Sequence, residues 1–177
     1  MTKAKFYDDV EANEEVFMGS DCTVKVDEGF INIRVGAIIM KGNQFLMVGN
    51  DKDHFLYSVG GRIKFGETAE EAVIREVYEE TGVLMDVDRL GFIHENFFYS
   101  DDEKKKDKFI YEISFFFYMK VPANFEPSCD SFTEDHKKEK LIWVTAESDI
   151  VYYPEFFRTE LQHPKQGVKH IVTDERK

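Results

Sequence analysis

The sequence predicts an α/β protein, an α/β/α sandwich around a mixed β-sheet. Three observations carry that prediction. Apolar and aromatic runs of strand length recur, among them FINIRVGAIIM (30–40) and KFIYEISFFFYMKV (108–121). Between them, ETAEEAVIREVYEETG (67–82) has helical periodicity, with Val73, Ile74 and Val77 on one arc. A second stretch, YPEFFRTELQ (153–162), places Pro154 where proline suits a first helical turn. Strands mixed with two substantial helices fit helical layers on a mixed sheet.

In chain order, residues 1 to about 20 read as an extension of a single domain (1–177), flexible or used in docking. Cys22 to Val26 and Phe30 to Met40 follow as strands, joined by the Gly-containing turn Asp27-Glu28-Gly29. From Val35 onward the second run is apolar on both parities, the pattern of a strand buried on both faces. Lys41-Gly42-Asn43 turns the chain into QFLMVG (44–49), and a short strand is expected at Phe55 to Ser58. After the acidic helix, LGFIHENFF (90–98) and the 108–121 run are aromatic-rich strands, separated by the charged loop SDDEKKKDK (100–108). Leu141 to Val144 is a further strand. The second helix should end near His163-Pro164, and GVKHIVTDERK (167–177) holds a short strand-like piece.

With 177 residues, 42% hydrophobic and 15% aromatic, the chain can bury one core. A net charge of −12 argues against double-stranded nucleic acid or an anionic membrane as partner, since both need a cationic surface. An acidic protein still binds a polyanionic small molecule when divalent cations bridge the two. Cys22 and Cys129 are too few for a disulfide framework or a zinc site and read as thiols of a reducing compartment. No apolar run approaches a membrane span, so a cytoplasmic location is expected.

The acidic helix carries the chemistry. Thr68 and Glu71 form a Thr-x-x-Glu capping box, and Gly82 suits the position after the last turn. Glu76, Glu79 and Glu80 share an arc roughly 100° wide, beside the small residues Ala69 and Ala72. Glu71 and Arg75 stand at i and i+4, the order of a surface ion pair. Glu76, Glu79 and Glu80 fit a merely solvated face poorly. Like charges so spaced cost roughly 0.2–0.5 kcal/mol per pair, and the helix C-terminus disfavours anions. A hard cation among them reverses the sign, and an all-oxygen donor set suits Mg2+ or Mn2+.

Gly61, Glu67, Arg75-Glu76-Val77, Glu79-Glu80 and Gly82-Val83 match the fixed positions of the Nudix box, and the chain resembles the Nudix hydrolase superfamily. The flanks are also similar: an RVGAII-type strand before the box and a Trp143-containing strand after it. The resemblance implies an α/β/α sandwich and hydrolysis of a nucleoside diphosphate linked to another group X. It implies Glu76, Glu79 and Glu80 as catalytic and metal-binding carboxylates, with the carbonyl of Gly60 or Gly61 as a further ligand. It also implies that Glu67 and Arg75 pair one shell out to orient helix and loop, with Gly61 and Gly82 structural. The sequence departs at Val59, where the family usually has proline.

Outside the box, Glu139 resembles a late loop glutamate that binds metal or acts as base in some members, although HKKEK (136–140) also reads as plain surface. Glu112, in an apolar strand, calls for a partner and is a candidate substrate-binding residue, with an exposed edge as the alternative. Arg34, between Ile33 and Val35, and Arg62, beside Gly61, are candidate phosphate contacts, with structural ion pairs as the alternative. His94-Glu95-Asn96 lacks the second histidine of a metal helix and reads as strand-end or pocket residues. The aromatic runs at 97–99 and 115–117 read mainly as core. Tyr99, sixteen residues past Val83, stands where some dinucleoside polyphosphate hydrolases carry a tyrosine. The proline of ADP-ribose-specific members, about fifteen residues past the box, is absent. Two other classes share the implied fold: a non-catalytic nucleotide-sensing or partner-binding module, which usually lacks box carboxylates, and an isoprenyl diphosphate isomerase, which needs a catalytic cysteine in a motif not seen here. A homodimer, involving the N-terminal segment, is compatible with the family.

Overall fold

A computed structural model describes residues 19–50, 54–100, 108–127 and 139–176. Nearly all of the expected extension over 1–20, most of the charge run at 100–108, and Cys129 lie outside these residues. The described chain runs β1 (Thr23–Lys25), β2 (Gly29–Ile38), β3 (Met40–Lys41), β4 (Gln44–Asn50), β5 (Phe55–Ser58), α1 (Ala69–Thr81), β6 (Val87–Tyr99), β7 (Phe109–Met119), β8 (Glu139–Val144), β9 (Val151–Tyr153), α2 (Phe157–Glu160) and β10 (Lys169–Asp174).

The α/β class and the mixed strand pairing are as the sequence predicts, but the strands divide between two sheets. One has the order β1-β2-β7-β6-β10, with β2 parallel to β7 and β10 parallel to β6. The other has the order β3-β4-β5-β9, with β8 paired antiparallel to β4. The run expected as one strand to Met40 changes sheets at Ile39, whose carbonyl accepts the Leu46 amide at 3.0 Å. Strand β9, at VYY, has too short an apolar pattern to stand out locally; its parallel partner β5 creates it.

Burial on both faces of β2 and β4 is observed. Val35, Ala37, Leu46 and Val48 enter one core with Val73 and Val77 of α1, while Ile38, Phe45 and Met47 enter a second with Phe116, Tyr152 and Phe157. Val73 and Val77 have no exposed surface, and each such side chain contributes about 1.5–3 kcal/mol to holding α1 on the sheets. The helix starts and stops as expected. Thr68 Oγ1 accepts the Glu71 amide at 3.2 Å, Glu71 Oε2 accepts the Thr68 amide at 3.0 Å, and Gly82, at φ 69°, donates to Tyr78 O.

The second helix is only four residues long, far shorter than expected. Pro154 precedes it instead of opening it: the amides of Phe157, Arg158 and Thr159 each bond three residues back, and α-type bonding begins only at Glu160. Phe156, at its N-cap, has no side-chain acceptor for the first amides.

Candidate active site

The loop from Val59 to Lys64 is the floor of the site, pinned on the backbone of β2. Ala37 N–H donates to Val59 O at 2.8 Å, Val35 N–H to Gly61 O at 2.9 Å, and Ile63 N–H to Ile33 O at 3.1 Å. Glycine is required at 60 twice over: φ is 142°, and a Cβ there would lie 2.3 Å from Val35 O. At Gly61 a Cβ would fall 2.4 Å from Glu76 Oε1, so its absence lets the helix carboxylate rest on the loop. Valine in place of the family's proline at 59 does not loosen this floor, because Val59 is fully buried and bonded to β2.

Arg75 joins loop to helix. Its Nε and Nη2 donate to the two oxygens of Glu67 at 2.7 and 3.0 Å, Nη1 to Glu76 Oε1 at 2.8 Å and Glu79 Oε2 at 3.1 Å, and Nη2 also to the Arg62 carbonyl at 3.2 Å. Glu67 Oε2 also accepts the Lys64 amide at 2.9 Å. The Glu67–Arg75 pair thus forms as the resemblance implies. The expected surface pair of Glu71 with Arg75 does not: Glu71 is spent on the cap, and Arg75 is 4% exposed. Tertiary burial overrides the i,i+4 pattern because a guanidinium with five acceptor oxygens around it tolerates desolvation. Burial alone would lower the Arg75 pKa, but the Glu67 hydrogen bond and the charges of Glu76, Glu67 and Glu79 raise it.

The three helix acids therefore differ. Glu79 is half exposed and leans on Arg75. Glu76 is mostly buried and also on Arg75; burial holds its carboxyl above the usual range, and the attraction of Arg75 opposes this. Among the described residues, Glu80 has no cationic partner in contact. Its Oε1 accepts the Gly60 amide at 3.2 Å, and its Oε2 is buried with no hydrogen-bond partner. Burial and then the charge of Glu76 push its carboxyl well above the usual range, Glu139 adds to this, and the Gly60 N–H and the Arg34 charge oppose it.

Glu139, first residue of β8, thus comes close enough to Glu80 for its charge to be felt. Arg34 lies opposite Arg62 in an isolated bridge, next to the glycines on which the carboxylates rest, and forms an ion pair with Glu112 at 3.7 Å. Glu112 has therefore found a partner, with Ser114 Oγ donating to it at 3.4 Å. Arg62 pairs with Asp21 at 3.4 Å, a residue with no local sequence signal for the site. Tyr99 is set apart: its row is that of Phe109 and Gly29, whereas Arg34 shares a row with Ser114 and His94. Five rows separate the two, roughly 16 Å along the strands. His94 is buried, with Nε2 at 2.9 Å from Thr173 Oγ1, and packs on Phe156 in the second core.

Among the described residues, no three His, Cys, Asp or Glu side chains are already gathered as a metal cage. The donor set nevertheless suits a hard cation: a buried carboxylate oxygen without a donor, two neighbouring acids, and small residues at 60 and 61. Gly61 O accepts the Val35 amide, which favours Gly60 O as the backbone donor of the two.

The family model described as NUDIX domain matches residues 31–151. A protein of Methanocaldococcus jannaschii named ADP-ribose pyrophosphatase is 39% identical over 61 residues, 33% of this chain and 36% of its own length. The chain thus spans about a third of that relative. Among solved structures, an ADP-ribose pyrophosphatase of Streptococcus suis matches with a TM-score of 0.54 at 13% identity, over 80% of this chain and 98% of its own. A MutT NUDIX hydrolase of Burkholderia pseudomallei matches at 0.53 and 17%, over 76% and 98%. At such identities these likenesses speak for the fold.

Proposed function

The chain belongs to the NUDIX domain family, whose model spans more than half of it, and from that premise we propose that it is a pyrophosphohydrolase. Its substrate is a nucleoside diphosphate linked to a further group, cleaved at the phosphoanhydride with Mg2+ or Mn2+ as cofactor. The observation that carries this reading is the Glu80 carboxylate: buried, with one oxygen lacking any hydrogen-bond donor, beside Glu76 and above the Gly60-Gly61 floor. A buried anion left so costs several kcal/mol unless it is protonated or meets a cation.

In this reading Glu76, Glu79 and Glu80, with the Gly60 carbonyl, would hold the cation, and Glu139 of β8 would serve as a further ligand or base. A divalent ion held there screens phosphate charge and lowers the pKa of an attacking water. Arg75 fixes one oxygen each of Glu76 and Glu79, and the Glu76 carboxylate lies against Gly61 of the loop. Arg34 meets the substrate's phosphates, whereas Arg62, drawn to Asp21, stands at the rim. The M. jannaschii relative's name supports including ADP-ribose among the compounds to be tried.

The experiment is a screen of ADP-ribose, nucleotide sugars, dinucleoside polyphosphates and nucleoside triphosphates with Mg2+ or Mn2+, reading the phosphate products. Turnover of at least one, reduced by two or more orders of magnitude in Glu80→Gln, is expected. No turnover of any would favour a nucleotide-sensing module, and full activity in Glu80→Gln would remove the proposed metal site.

A further inference from the structure

Strands β2, β7 and β6 lie side by side, and their register aligns side chains in rows across the first sheet. On the face that sends Phe116 and Phe92 into the second core, two consecutive rows break the apolar pattern. One row is Asn32, Glu112 and Asn96; the next is Arg34, Ser114 and His94. Past the first row the face turns apolar again, with Ile110 between Phe30 and Phe98. A polar band set between apolar ones calls for hydrogen-bond partners.

Most of the band finds them inside the chain. Asn32 Oδ1 accepts Thr23 Oγ1 at 3.0 Å, and His94 bonds Thr173 beneath Phe156. Glu112 and Asn96 differ. Ser114 Oγ reaches Glu112 Oε1 only at 3.4 Å, and Arg34 Nε stands 3.7 Å from Oε2. A carboxylate whose side chain is 16% exposed therefore lacks any short hydrogen bond. Asn96, directly beside it on β6 and partly exposed, has no side-chain hydrogen bond among the described residues. An acceptor and an amide thus stand about 5 Å apart with their capacity unused.

We propose that Glu112 and Asn96 determine specificity by reading the base of the substrate, and that this base is guanine. The inference rests on the pyrophosphohydrolase reading above and names the nucleoside. The 59–64 loop is the edge of this sheet beside β2, and α1 packs on the Val35 face. Arg62 and Arg34, as bridge partners, share the other face with the polar band. Glu112 is two strand spacings and one row from Arg62, roughly 12 Å across the sheet. A nucleoside diphosphate with its phosphates at the loop edge lays its base over that row. Guanine alone among the common bases presents two adjacent N–H donors, N1 and N2, beside a carbonyl, O6. The two oxygens of Glu112 accept the N–H pair, and the Asn96 amide donates to O6. Adenine would set its N1 lone pair, and uracil a carbonyl, against the carboxylate.

Mononucleotides test this, since they carry the base but no phosphoanhydride to cleave. Titration calorimetry of the full chain in Mg2+ should show GMP bound roughly tenfold to a hundredfold more tightly than AMP or UMP, the scale of one bidentate base contact. IMP, which lacks the 2-amino group, should fall between. Glu112→Gln should lose the advantage of GMP over AMP. Asn96→Leu removes no hydrogen bond within the described chain, so it should fold as the parent does and narrow the advantage. It carries the test if Glu112→Gln does not fold. Equal affinity for GMP and AMP, an advantage that survives in both variants, or no binding of any mononucleotide overturns the assignment. Hydrolysis of nucleotides without a guanine preference overturns only the base site. A guanine preference in a chain that hydrolyses nothing overturns only the pyrophosphohydrolase.

Discussion

Arg75 Nε lies 2.7 Å from Glu67 Oε1 and Arg75 Nη2 3.0 Å from Glu67 Oε2, a two-pronged pair in which the carboxylate side chain has no exposed surface. Because Glu67 precedes the helix and Arg75 is in its second turn, the pair sets the loop against the helix face that bears the other acids. The same guanidinium also bonds Glu76 and Glu79, and its single charge offsets only part of the three carboxylates gathered around it.

Removal of one partner should therefore be severe. Glu67→Ala leaves a buried guanidinium short of its main acceptor, and a loss of about 3–5 kcal/mol in urea unfolding is expected. Arg75→Lys should also lose stability and activity, since one ammonium cannot span the four groups that Arg75 reaches. Losses below about 1 kcal/mol in both would show that the network does not hold loop and helix together.

Glu80 gives a pH signature. Its folded-state pKa is raised, so the folded protein retains this proton more tightly than the unfolded chain. The stability tied to it is full below the ordinary carboxylate range, about 4.3, and is lost as pH rises through the raised value. Without divalent ions, the melting temperature should fall with rising pH on this account, and Glu80→Gln should lack that part of the slope. Saturating Mg2+ at neutral pH should raise the melting temperature of the parent chain more than that of Glu80→Gln. Identical slopes and identical Mg2+ shifts in the two proteins would sink the argument.

His94 acts at the acid end. Burial, and then the charge of His170, lower its pKa to about 4. The unfolded chain takes up the proton first, near pH 6.5, so stability is complete above that pH and declines as pH falls toward about 4. The decline attributable to this group is of the order of 3 kcal/mol. His94→Gln should flatten the acid limb of a plot of unfolding free energy against pH. A limb of unchanged steepness would assign the acid sensitivity to other groups.

Where a feature depends on neighbours in sequence, the chain displays it. The caps of α1 are four residues apart or less, and FLYS is a strand between breakers, so both could be located by pattern. The short α2 could not, because its apolar residues Phe156, Phe157 and Leu161 have the same spacing whether they bury one turn or three. Nor could β9, which owes its existence to β5 across the fold. The partners of Arg62 and Glu112, Asp21 and Arg34, lie 41 and 78 positions away in the chain, and no local pattern marks them.

Glu76, Glu79 and Glu80 share one helical arc by their spacing alone, because 3.6 residues per turn places them there whatever the helix packs against. The glycines at 60 and 61, ahead of the helix, are equally plain in the chain. That the three acids are unequal follows from packing between distant segments. Arg75 is turned inward by the packing of α1, and it bonds two of them. Glu80 is left with an amide on one oxygen and nothing on the other, since the loop pinned to β2 covers it without supplying a cation.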